Sequence, residues 1–232
     1  YKEFAPPARA TLNVPALQAL IRLRAEIPAP LARRLDEATA WPVAVVHRDG
    51  RATGFLMRQA PAAFHPEITL PRGRVRLLAQ VQLLLNGERY LSARGLSVDD
   101  RFRLELLHDV ARTIELLHGF GVVVGDLSPN NLLFSREHRP RCFFLDCDAM
   151  RLGGDSVLEQ AETADWEAPA GDQQIATPAT DSYKFALLCA RLFAGDQTVR
   201  LAPPAQRAGP ALRRLVVRGL SADPAQRPEM AE

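Results

Sequence analysis

Residues 122–134 read VVVGDLSPNNLLF, and residues 141–150 follow as RCFFLDCDAM. Three β-branched residues run into Gly125-Asp126, Pro129 sits between polar neighbours, and a short apolar run resumes at Leu132. Asp and Asn satisfy the backbone of a turn by themselves, so turn chemistry accounts for Asp126 and Asn131 individually. The second run adds a constraint. It ends on Asp146 and Asp148, and a hairpin of two short strands would return Asp146 beside the loop that holds Asp126 and Asn131. A hard cation such as Mg²⁺ takes oxygen ligands, typically one or two protein groups plus substrate phosphates. Asn131 and Asp146 supply such oxygens, which leaves Asp126 to handle a hydroxyl proton.

Outward from that core, the first part of the chain reads as strand, helix and hairpin. YKEF at 1–4 alternates like the end of a strand. Residues 13–27 predict a helix, with Asn13 as N-cap and Pro15 in the first turn. Residues 41–57, WPVAVVHRDGRATGFLM, place Asp49-Gly50 between two apolar runs, a strong short-range hairpin signal. The Pro-rich stretch 58–71 reads as a connector, and the spacing of Val75, Leu78, Val81 and Leu85 predicts a helix over 74–85. Residues 98–118 carry the clearest helical stripe, Leu104, Leu107, Val110, Ala111, Ile114 and Leu117. Ser97 is the expected cap, Asp99 and Asp100 lie in the first turn, and Gly119 and Gly121 form the stop. Residues 151–180 read as a long loop, the kind of loop that carries function. Residues 181–195 predict a helix with Leu187, Leu188, Leu192 and Phe193 on its core face, and 210–220 another.

A chain of 232 residues with 47% hydrophobic residues is long enough to bury a core. Its net charge of +2, with 24% charged residues, is too balanced to argue for nucleic acid or a membrane surface. No apolar run is long enough for a membrane span, and the N-terminus has no apolar core of a signal peptide. Cys142, Cys147 and Cys189 have no metal-binding spacing and read as free thiols in a reducing cytoplasm. Heavy use of Ala, Arg and Pro is expected of a GC-rich genome. Lacking an initial Met, the chain reads as an excerpt of a longer protein. His108 and His118 are expected on a helix without catalytic roles, Arg33-Arg34 and Arg213-Arg214 on solvated faces, and Trp41 and Trp166 as packing anchors.

The order of these motifs resembles the protein kinase superfamily. VGDLSPNN (124–131) is similar to the catalytic loop, LDCD (145–148) to the strand and turn written D-F-G, and DWEAPA (165–170) to A-P-E. DSYKFALLCARLFAG (181–195) and GLSADPAQRP (219–228) are similar to the large-lobe helix and the D-P-x-x-R-P ending. The resemblance spans nearly the whole chain. It implies an α+β, two-lobed protein-kinase-like fold, with a partial β-rich N-lobe over 1–60 and a mainly helical C-lobe over 61–232. It implies ATP and Mg²⁺ as cofactors and a Ser/Thr hydroxyl of a protein as acceptor. Asp126 would orient that hydroxyl, Asn131 and Asp146 would hold Mg²⁺, and Lys2 would pair with the α- and β-phosphates. Arg58, Gln59 and Ala60 would form the hinge beside adenine, Ser128 would line the cofactor site, and Asp181 would tie its helix to the catalytic loop.

Departures from the family pattern qualify the expectation. Val124-Gly125 replace His-Arg, so control by loop phosphorylation is not expected. Ser128 replaces the usual Lys, as in small-molecule kinases. Cys147-Asp148 replace Phe-Gly, and Asp148 is read as a solvated turn acid, a further metal ligand or a group repelling phosphate. Ala170 replaces the A-P-E glutamate, leaving its partner Arg227 for another acid such as Glu167. Gln18 and Glu26 are the two candidates for the helix residue that pairs with Lys2, and a Gly-rich loop would precede Tyr1. The pattern is most similar to a divergent bacterial branch whose members carry accessory domains or act beside a phosphatase. The alternatives are a small-molecule kinase, or a pseudokinase that binds nucleotide or scaffolds a partner.

Overall fold

Asp49 and Gly50, both at positive φ (51° and 74°), close a hairpin between β2 (Pro42–Arg48) and β3 (Arg51–Met57), as the sequence predicts. The structure is a computed structural model and describes residues 1–137, 139–169 and 175–231. A short strand β1 (Lys2–Glu3) adds to the other edge of β3, giving an antiparallel sheet in the order β1-β3-β2. Helix α1 (Pro6–Ala10) follows, then α2 (Val14–Glu26), whose cap is the expected one: the Asn13 side chain accepts from the Ala16 amide at 3.1 Å. Helix α3 (Ala29–Ala38) was not foreseen. The prolines at 28 and 30 look like breakers, but here they stand at the N-cap and first turn, where a missing N–H costs nothing.

Gly54 brings β1 close. A Cβ built there would lie 2.2 Å from the Lys2 carbonyl oxygen and 3.0 Å from the Glu3 Cα, so β1 itself would have to move. We expect Gly54→Ala to cost about 1–3 kcal/mol through this overpacking. The checks are the thermal midpoint and amide exchange at Lys2 and Glu3. Unchanged values of both would contradict the close approach.

The connector ends in a second hairpin, β4 (Glu67–Leu70) with β5 (Gly73–Arg76), turned through Gly73 at φ 125°. This corrects the helix expected over 74–85. Val75 pairs with Ile68 across the hairpin and is exposed, and only Val81–Leu84 coils, as a 3₁₀ turn. The apolar spacing that suggests a helix arises from two unrelated local structures.

Helix α4 (Glu88–Ala93) leads to α5 (Asp100–Gly119). Its cap is Asp99, which accepts from the Phe102 amide at 2.7 Å, rather than Ser97. Leu107, Val110, Ile114 and Leu117 are buried as expected, while Leu104 lies at the exposed margin. After α5 come β6 (Val122–Val123), β7 (Leu132–Phe134) and β8 (Cys142–Phe144), the last two forming the expected hairpin. Within the stretch expected to be loop, β9 (Arg151–Leu152) pairs with both β6 and β10 (Asp155–Ser156). Helix α6 (Pro178–Ala194) starts from a Thr177–Thr180 capping box and stops at Gly195 in the left-handed region. Leu187, Leu188, Leu192 and Phe193 are all on its buried face. Helix α7 (Ala205–Gly219) kinks at Gly209-Pro210.

The result is an α+β molecule of helices and several small antiparallel sheets. One contiguous apolar cluster runs from Phe4 to Val216. The first sheet is tied to β8 through Ala40, whose amide donates to the Phe144 carbonyl at 2.8 Å, and through a parallel bridge between Thr39 and Phe144. That tie sets the β1 edge over the turn after β8. Trp41, buried with its indole N–H on the Leu20 carbonyl (2.9 Å), locks β2 to α2. The three cysteines are buried free thiols. No helix among the described residues is long and apolar enough to cross a membrane.

Candidate functional site

The loop between β6 and β7 hangs from Asp181, at the start of α6. This carboxylate is fully buried and accepts from the Val124 and Gly125 amides and from His118 Nε2, each at 2.8 Å. Asp181 therefore ties α6 to the loop, and His118 is part of the tie rather than a helix-end charge. Gly125 adopts φ 73°, which L side chains rarely take, although a Cβ there would only touch Ala176 at 3.4 Å. The local conformation thus explains the glycine directly before Asp126.

Asp126 is held from two sides. Asn131 Nδ2 donates to Asp126 Oδ2 at 2.9 Å, and Thr163 donates to Oδ1 from its amide (2.9 Å) and reaches both oxygens with its hydroxyl (3.0 Å each). Asn131 spends its amide nitrogen on Asp126, so its side-chain oxygen is the atom left for a cation. Its backbone carbonyl accepts from the Leu145 amide at 2.8 Å, which places Asp146 next to the loop as the hairpin reading requires. Asp146 turns the chain in the left-handed region (φ 51°, ψ 40°). Asp126, Asn131 and Asp146 line one small depression.

Lys2 reaches the same place from β1. Its Nζ lies 2.8 Å from Asp148 Oδ1 and 3.2 Å from Asp146 Oδ1. Burial works against the Lys2 charge, but Asp148 and then Asp146 more than offset it, so the ammonium titrates above its ordinary value. Burial also pushes the Asp148 carboxyl above the usual carboxylate range, a penalty larger than the opposing pull of Lys2. The Asp148 side chain is 2% exposed and the Asp146 side chain 52%. Asp148 is therefore no solvated turn acid. Gln18 and Glu26, the two candidates for the Lys2 partner on α2, are both exposed and have no such contact.

Other expected residues fall elsewhere. Ser128 is buried with its hydroxyl unpartnered among the described residues. Arg58 follows β3 and lies 3.2 Å from the buried Asp36, which Arg24 grips with two 2.6 Å hydrogen bonds. Gln59 is exposed and Ala60 half-buried on the same connector. Arg227 donates to the Ser221, Ala179 and Ala222 carbonyls and lies over the Tyr183 ring. Trp166 is buried beneath the Arg191 guanidinium, as an anchor should be. Ala170, at the A-P-E position, lies outside the described residues.

Two features escaped sequence reading. Thr163 was one polar residue in a loop with no pattern. Glu162, its neighbour, forms an ion pair with the fully buried Lys184 of α6 (2.7 Å), without the alignment of a hydrogen bond. A signal for Lys184 was present in the composition. Lys2 and Lys184 are the only lysines, and every other member of the 29 Lys plus Arg is arginine.

The donor set suits a hard divalent cation with few protein ligands. Asp146 is half exposed with an accessible carboxylate, and Asn131 has an amide oxygen to give. Among the described residues, no three His, Cys, Asp or Glu gather into a closed metal cage. No family model matches the chain.

Proposed function

We propose that this chain is an ATP-dependent phosphotransferase of two-lobed, protein-kinase-like fold that passes the γ-phosphoryl group to a Ser/Thr hydroxyl of a protein. The observation that carries the reading is a bonded chain linking three distant stretches. Lys2 meets Asp146, Asn131 joins the Asp146 turn to Asp126, and Asp126 ends on Thr163. On this reading residues 1–60 form the partial N-lobe, and Arg58, Gln59 and Ala60 lie at the hinge beside adenine. Ser128, being buried, would shape the loop from beneath the cofactor.

Each side chain has a task set by its surroundings. Lys2 offers ammonium donors to phosphate oxygens. Asn131 and Asp146 would hold Mg²⁺, which supplies neutralisation of the charge that develops on the transferred group. The Asp126 carboxylate, steered by Asn131, would orient an acceptor hydroxyl and take its proton. That hydroxyl displaces the Thr163 hydroxyl, which holds the position in the resting state.

Asp126→Ala is expected to lower transfer from labelled ATP by about 10²–10⁴-fold, the usual worth of a positioned general base. Nucleotide binding should survive, measured as thermal stabilisation by Mg²⁺ with ATP. Undiminished transfer by the variant would sink the reading. The second reading is a nucleotide-binding scaffold. It is favoured by the engagement of both Asp126 oxygens by Asn131 and Thr163. Stabilisation by nucleotide with no transfer to any protein or metabolite in an extract would select it.

A further inference from the structure

Lys2 has two acidic partners, and they differ in kind. Asp148 is the closer (2.8 Å against 3.2 Å) and is withdrawn from solvent, while the Asp146 side chain is half exposed. Losing Lys2 would leave Asp148 as an uncompensated charge in a buried setting, whereas water can solvate Asp146. The two acids therefore do not compete equally for the ammonium. Asp148 also sits in the short 3₁₀ turn Cys147–Ala149, pinned by the Ala149 amide on the Asp146 carbonyl (2.9 Å). On the other side, Lys2 is fixed by β1 pairing, opposite Phe55 of β3. Among the described residues, neither Gln18 nor Glu26 of α2 forms a hydrogen bond or ion pair with it, and both are exposed. Finally, a chain that uses arginine almost everywhere keeps a lysine here. Its ammonium is a compact point charge with three rotatable donors, enough to meet both carboxylates.

We propose that Asp148 is the permanent anchor of Lys2, a positioning residue on the metal-binding turn itself, and that Asp146 is the partner Lys2 releases when nucleotide and cation bind. The proposal rests on the phosphotransferase reading above and adds a role to it. An ammonium has three donors. One stays on Asp148, which leaves two for phosphate oxygens once Asp146 turns to the cation. Because the anchor and the cation ligand are two residues apart on one rigid turn, lysine and metal site keep a fixed spacing. A helix acid is then unnecessary, and movement of α2 does not set the position of the lysine.

The test is a double-mutant cycle read as the affinity for Mg²⁺ with ATP at constant temperature, using wild type, Lys2→Met, Asp148→Asn and the double variant. Asp148→Asn is expected to weaken nucleotide binding about tenfold, and the double variant no more than Lys2→Met alone, because coupled neighbours are not additive. A merely structural Asp148 would lower the unfolding midpoint and leave affinity unchanged, or its effect would multiply with that of Lys2→Met. Either result overturns the proposal while the phosphotransferase reading stands. Wild-type protein that binds no nucleotide overturns the reading and the proposal together. Where Asp148→Asn does not fold, Asp148→Glu replaces it and keeps the charge. Its affinity is read in the same cycle: a loss that disappears in the Lys2→Met background supports the anchor, and a loss that multiplies with that of Lys2→Met, or none, overturns it.

Discussion

Asp181→Asn is expected to lower the stability of the chain by about 3–5 kcal/mol, the range seen when one partner is removed from a buried charged network. The carboxylate is completely buried and its two oxygens accept three hydrogen bonds, from Val124, Gly125 and His118. An asparagine of the same shape has one acceptor oxygen and one NH₂. Whichever way the amide turns, a donor faces a donor, and at least one buried N–H loses its partner. Hydrogen bonds to charged groups are worth about 1.5–3 kcal/mol each, so two poorly replaced bonds account for the estimate. For a chain of this size the midpoint should fall by about 6–20 °C, at about 2–4 °C per kcal/mol. The check is thermal unfolding followed by circular dichroism, and a midpoint within a degree or two of wild type would contradict the arrangement. On the proposed phosphotransferase reading, function should suffer beyond stability, because the amide left unpaired belongs to Val124 or Gly125, the two residues immediately before Asp126. The proposed phosphoryl transfer, measured at temperatures well below the midpoint, is therefore expected to fall even where the variant is fully folded.

The reach of sequence reading follows the range of the interactions concerned. The β2–β3 hairpin was legible because Asp49-Gly50 specifies its own turn. Helices α5 and α6 were legible because each buries a continuous stripe. The β7–β8 hairpin was legible too, and with it the approach of Asp146 to Asn131, since a short hairpin has one way to return. The segment 74–85 was misread because periodicity alone cannot separate a helix from a strand followed by a 3₁₀ turn. The positive φ of Gly73, which decides the matter, becomes visible only in the backbone. At the site, Asp126, Asn131 and Asp146 carried local signals. The pairing of Lys2 with Asp148 joins residues 146 positions apart, brought together by the tie of Thr39 and Ala40 to β8, and no spacing rule encodes it. The same holds for Thr163, whose task depends on where a loop of weak pattern is pinned.

That pin leads to the second large effect. Lys184→Met is expected to cost about 3–5 kcal/mol, because it strands the Glu162 carboxylate in a pocket where it is 13% exposed. The measurement is again the unfolding midpoint, with Glu162→Gln and the double variant beside it. The pair lacks hydrogen-bond alignment, so its own net worth should be small and the harm of each single change should come from the charge left behind. The double variant should accordingly recover most of the stability, since replacing both members of a buried pair is often neutral or stabilising. Singles that are as stable as wild type, or a double variant that loses the sum of both, would contradict this account. Stability and activity should then part company. Glu162 directly precedes Thr163, and Thr163 is what the Asp126 carboxylate rests against. On the proposed reading, the pair holds the segment whose Thr163 amide stays on Asp126 when an acceptor displaces the Thr163 hydroxyl, so a stable double variant is expected to transfer phosphate poorly. On the proposed kinase-like reading, where Gly125 replaces a phosphate-reading arginine, the buried Lys184 of α6 would hold the segment and activity would need no phosphorylation step to order it.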